Sequence, residues 1–117
     1  MFMRLALLVV VSILLGCQTS PKTLIRLSPD GPEGVGLKNT EIEGQREYIY
    51  YSAPTSERIS SGIWEGDPYE EGPDTEGASE FMYIINGSAT IVDEHGREEA
   101  LHAGDAILVP RGVTYYW

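Results

Sequence analysis

Two stretches in the second half of this chain carry side chains whose types and spacing could do chemistry. In the first, a carboxylate opens an apolar run, Glu80-Phe81-Met82-Tyr83-Ile84-Ile85-Asn86-Gly87. In the second, Gly104-Asp105-Ala106-Ile107-Leu108-Val109-Pro110-Arg111-Gly112 sets a glycine, five residues, a proline, any residue and a glycine, and Tyr115 follows. Upstream lies an acidic loop, Glu70-Glu71-Gly72-Pro73-Asp74-Thr75-Glu76. Carboxylates such as Asp74, Glu76 and Glu80 suit a hard cation like Mn²⁺ or Ca²⁺, whereas Zn²⁺, Fe²⁺ and Cu²⁺ favour imidazole or thiolate. His95 and His102 fall at turns, and the single cysteine, Cys17, is near the start of the chain. No Ser-His-Asp or Cys-His arrangement can be assembled from these residues, and no phosphate-cradling glycine loop leads into a helix.

The elements that would position these groups are strands. Period-two alternation puts Glu80, Met82 and Ile84 on one face of a strand and Phe81, Tyr83 and Ile85 on the other. Strands are predicted over 79–85, 88–93, 97–101 and 106–109, joined by Asn86-Gly87, Glu94-His95-Gly96 and Ala103-Gly104-Asp105. Asn-Gly and His-Gly accept the positive φ of tight hairpins, so these strands are antiparallel neighbours. Earlier strands are predicted over 23–27, 46–51 and 59–64, with a Gly- and Pro-rich loop after the first and another over 68–78. No helical period appears after residue 16. The chain is all-β, a sandwich or barrel.

With 117 residues and 42% hydrophobic content there is material for one domain and one core. A formal charge of −10 repels phosphate backbones and argues against nucleic-acid binding. The first residues are of a different kind: Arg4 precedes an apolar run from Leu5 to Leu15 that is too short to span a bilayer, the pattern of an export signal. The run ends Leu14-Leu15-Gly16-Cys17 and resembles the bacterial lipobox, in which the Cys thiol receives a diacylglycerol and becomes the first residue of the mature protein. That resemblance implies a signal peptide over 1–16, a lipidated Cys17 with a tether over 17–22, and a single domain over 23–117. It also implies export and a lipid anchor in the bacterial membrane. Gln18 in place of an Asp favours the outer membrane where the host has one.

The Glu80…Gly87 and Gly104…Pro110-x-Gly112 motifs resemble the two conserved motifs of the cupin superfamily. The resemblance extends through Gly62-Ile63-Trp64, Glu80-Phe81, Gly104-Asp105 and the closing Trp117, which look like the branch typified by the cupin domain of (S)-ureidoglycine aminohydrolase. It implies a small cupin-like barrel (a double-stranded β-helix, or jelly roll) truncated before its last strand, with Glu80 pointing inward. The His-x-His that precedes the first-motif Glu in that family is replaced by Asp74 and Glu76, or by Pro73 and Thr75. The second-motif His is replaced by Tyr115.

Two functions follow from the resemblance. One is a small-molecule-binding barrel with no metal cofactor, using Glu80, Tyr115, Met82 and Trp64. The other is a Mn²⁺-dependent enzyme releasing ammonia from a ureido compound, with Asp74, Glu76 and Glu80 as ligands. A homodimer through sheet edges is implied by the same analogy.

Overall fold

The computed structural model describes residues 3–9, 23–53, 59–75 and 77–117, the first of these stretches in its backbone alone. Among the described residues there are ten strands: β1 (Met3–Val9), β2 (Lys38–Asn39), β3 (Gln45–Ser52), β4 (Ser60–Gly66), β5 (Asp74–Thr75), β6 (Glu80–Asn86), β7 (Ser88–Asp93), β8 (Glu98–His102), β9 (Ala106–Val109) and β10 (Thr114–Tyr116). They form a six-stranded sheet in the order β2-β3-β4-β1-β6-β9 and a four-stranded sheet in the order β5-β10-β7-β8. Every pairing is antiparallel. Among the described residues there is no helix, and so none long and apolar enough to cross a membrane. This is the all-β chain of short antiparallel strands that the alternation and turn residues predict, and it is consistent with the small barrel that the resemblance implies.

The hairpins explain why the sheets form where they do. Gly87, between β6 and β7, has φ of 81°, and Gly96, between β7 and β8, has the same value. A side chain at either position would meet the left-handed penalty that glycine escapes. Asp93 fastens the second turn, its Oδ1 accepting from the His95 and Arg97 amides at 2.9 Å each. Alternation then sorts the faces. Along β6, Glu80, Met82 and Ile84 are buried and Phe81 and Tyr83 exposed. The core they join holds Ile91 of β7, Leu101 of β8, Val109 of β9 and Tyr115 of β10, with Trp64 of β4, Ile107, Val113 and Trp117 packed against it.

The strand predicted over 23–27 is not formed. Thr23 to Leu27 makes no ladder pairing, and Leu24 is 99% exposed, Ile25 37% and Leu27 41%. Strand composition is a local property and pairing with a neighbouring edge is not; Thr23–Leu27 has the first without the second. The stretch over 68–78 contains the two-residue strand β5 rather than loop throughout. The run Met3–Val9, predicted to be part of an export leader, is here the strand between β4 and β6: Leu5 lies opposite Trp64 and Ile84, and Leu7 opposite Gly62 and Met82. Residues 10–22, Cys17 included, and Glu76 lie outside the described residues.

Candidate functional site

The inward-facing carboxylate sits where the two sheets meet. Glu80 opens β6 directly opposite Val109 of β9 and is only 6% exposed. A carboxylate at that depth requires hydrogen-bond donors, because bare burial of the charge is too costly. Tyr115 reaches it from the opposite sheet, its hydroxyl donating to Glu80 Oε2 at 3.3 Å. Tyr115 is 3% exposed, and its ring meets that of Trp117 edge to face with centroids 6.0 Å apart. Met82, fully buried, is the next inward residue on β6. Three of the residues chosen from sequence, Glu80, Tyr115 and Met82, therefore share one interior.

Trp64 packs against the same core from β4. Its indole Nε1 donates to Gln45 Oε1 at 3.2 Å, and its ring contacts Tyr69 edge to face at 5.7 Å between centroids. Burial, with the charges of Glu71 and Asp74 adding to it, pushes the Tyr69 phenol up to about 12. Asp74 lies on β5 opposite Tyr115, half-buried, while Glu76 is outside the described residues. His95 and His102 are both exposed at their turns, as their positions predict.

A cavity of about 480 Å³ opens beside this pair, between the β7–β8 hairpin and β9. Its walls are apolar, from Ile91, Leu101, Ile107, Val109 and Val113, and Tyr115 contributes to the lining. Its polar side comes from Asp93, Arg97 and Glu99. Arg97 donates to Glu99 Oε1 from Nε at 3.0 Å and from Nη2 at 2.7 Å, which raises its own pKa further above the usual guanidinium range. Asp93 titrates below the ordinary carboxylate range, chiefly because the Arg97 amide bonds its charged form; desolvation opposes this, and the His95 amide adds a lesser lowering. Sequence reasoning missed this cavity. The alternation of β7, β8 and β9 marks Ile91, Leu101 and Val109 as inward, but no local signal says that inward residues stop short of filling the space.

Among the described residues, no group of three or more His, Cys, Asp or Glu side chains is placed to hold a metal ion. Glu80 accepts from the Tyr115 phenol and lies opposite Val109, on the strand face it shares with Met82 and Ile84. A second buried carboxylate, Glu65, is 2% exposed and paired with Arg46, its partner across β3 and β4. It belongs to the opposite face of β4 from Trp64, as strand alternation requires.

A family model described as the EutQ-like cupin domain matches residues 54–117, more than half of the chain. No curated protein and no solved structure matches.

Proposed function

The chain belongs to the EutQ-like cupin domain family, and on that premise we propose that it is a barrel that binds a small molecule without metal histidines. The observation that carries this reading is the cavity of about 480 Å³ with Tyr115 in its lining, the same Tyr115 whose hydroxyl meets the buried Glu80. Its volume is that of a pocket for a small organic ligand. Apolar walls would hold the body of such a ligand, and Arg97, Glu99 and the Tyr115 hydroxyl offer polar contacts to its ends. Lipid attachment at Cys17 behind a cleaved leader would hold the domain at the membrane surface, as the Leu14-Leu15-Gly16-Cys17 run supports.

The test is methyl NMR on the purified chain, with small carboxylates, amines and ureido compounds added singly. A ligand of the cavity shifts the methyl signals of Ile91, Leu101, Ile107 and Val109, and Ala106→Trp, at the exposed rim, abolishes the shifts. If no compound moves those methyls at millimolar concentration, the binding reading fails. A second reading rests on Glu80 facing inward and on the (S)-ureidoglycine aminohydrolase-like motifs: a Mn²⁺-dependent enzyme acting on a ureido compound. That reading needs ligands beyond Glu80, Glu76 among them. Stoichiometric Mn in the purified protein, lost in Glu80→Gln, would establish it over the first.

A further inference from the structure

The cavity beside Tyr115 has a charge as well as a shape. Tyr115 of β10 lies directly opposite Asp93 of β7, and Ile91 lies directly opposite Glu99 of β8. Residues opposite one another in a ladder share a face of the sheet, and so do alternate residues of one strand. Ile91, Leu101 and Tyr115 are core residues, so Asp93 and Glu99 stand on the inward face with them.

Three charged side chains line the cavity, Asp93, Arg97 and Glu99. Two of them cancel. Arg97 sends the hydrogen bonds from both Nε and Nη2 to Glu99 Oε1, at 3.0 and 2.7 Å. Asp93 is held by neutral donors instead. Its Oδ1 accepts from the backbone amides of Arg97 and His95, and those bonds keep it ionised by holding its carboxyl below the ordinary range. Among the described residues no hydrogen bond reaches its Oδ2. The lining therefore carries one net negative charge, on Asp93. The groups behind it have the same sign, since Tyr115 is flanked on its other side by Asp74 of β5 and its hydroxyl donates to Glu80.

The charge of a ligand head decides how it fares there. A carboxylate could be met only by Arg97, which Glu99 already holds, and it would be repelled by Asp93. A neutral head leaves Asp93 uncompensated. An ammonium cancels that charge, and its N–H donors suit what the lining offers, the carboxylates of Asp93 and Glu99 and the phenol oxygen of Tyr115. The other walls are apolar, which fixes the rest of the ligand as hydrocarbon.

We propose that this cavity takes a primary amine with an apolar body, its ammonium at Asp93 and its hydrocarbon against Ile91, Leu101 and Val109. The proposal deepens the binding reading above and rests on it. Asp93 is only partly buried, so water screens the attraction and the preference for a cation is modest.

Three probes with one hydrocarbon body and different heads test this: hexylamine, hexanol and hexanoate, each titrated into the purified chain at neutral pH. The methyl signals of Ile91, Leu101 and Val109 report occupancy. Hexylamine should bind roughly fivefold more tightly than hexanol, and hexanoate should be the weakest of the three. Asp93→Asn keeps a side-chain oxygen for the two turn amides while removing the charge, and it should bring hexylamine down to the level of hexanol. Asp93 is one of eighteen acidic residues, so a loss in this variant is not a general attraction of amines to an acidic chain. Equal binding of the three probes, tighter binding of hexanoate, or an amine preference that survives Asp93→Asn overturns the proposal and leaves the binding reading standing. Methyl signals that none of the three moves overturn both. The ranking in the native chain needs no variant, so it decides the matter even if Asp93→Asn fails to fold.

Discussion

Tyr115 is the side chain on which both halves of the site depend, since it lines the cavity and donates to Glu80. The bond is long at 3.3 Å, well beyond the usual hydroxyl–oxygen separation, so it is worth the modest sum of a neutral hydrogen bond and not the larger one of a short charged contact. Tyr115→Phe should therefore cost about 1 kcal/mol of stability in urea denaturation, while a double cycle with Glu80→Gln isolates the coupling. A cost no greater in the native background than in Glu80→Gln would mean that the hydroxyl does not serve the carboxylate. Tyr69 makes a second residue-scale case. Its phenol is neutral in the fold up to about 12, whereas an unfolded tyrosine ionises near its ordinary value of 10.0. The unfolded state alone gives up its proton between those values, so the contribution is complete below 10.0 and is lost as the pH rises toward 12. The melting temperature should fall over that window in the native chain and fall less in Tyr69→Phe. Coincident alkaline profiles would remove the burial argument.

At the scale of elements, β4 depends on an absence. A Cβ at Gly66 would lie 2.6 and 2.7 Å from carbons of the Trp64 indole, which is held by Gln45. The indole packs in the space that the missing side chain leaves. Gly66→Ala should cost about 1–3 kcal/mol and shift the tryptophan emission as the ring is displaced; an unchanged spectrum and melting point would show that the ring adapts freely. The same scale shows what the sequence could and could not tell. β6, β7, β8 and β9 were legible because alternation and Gly turns agreed, and alternation also marked the shared face of Glu80 and Met82. β2 and β10, at two and three residues, are too short to show a period. Met3–Val9 is apolar without alternation, the pattern of a leader and equally of a strand buried on both faces. Thr23–Leu27 illustrates the converse, since its composition is local but a vacant edge is a property of the whole sheet. The Glu80–Tyr115 contact joins opposite sheets across 35 positions, and no local pattern encodes that distance.

For the whole molecule, the charge and the proposed anchor bear on the same surface. A chain of formal charge −10 is repelled by anionic lipid and would stay at a membrane only through covalent attachment. Cys17→Ser should move the protein from the membrane fraction to the soluble or unprocessed fraction and abolish incorporation of labelled fatty acid. Equal labelling of both proteins would place any lipid elsewhere. The order of strands in the larger sheet has a further consequence, in time. β1 leaves the ribosome first, yet its neighbour β6 is not finished until Asn86. At ordinary elongation rates that interval is about 4 to 15 s. Until β4 is complete at Gly66 the first strand has no sheet to join, so whatever captures a nascent apolar segment in that part of the interval competes with nothing but solvent. On the proposed leader reading, the fate of Met3–Val9 is set by a race between targeting and translation, and slowing elongation over residues 10–86 would favour targeting without altering a single contact in the finished barrel.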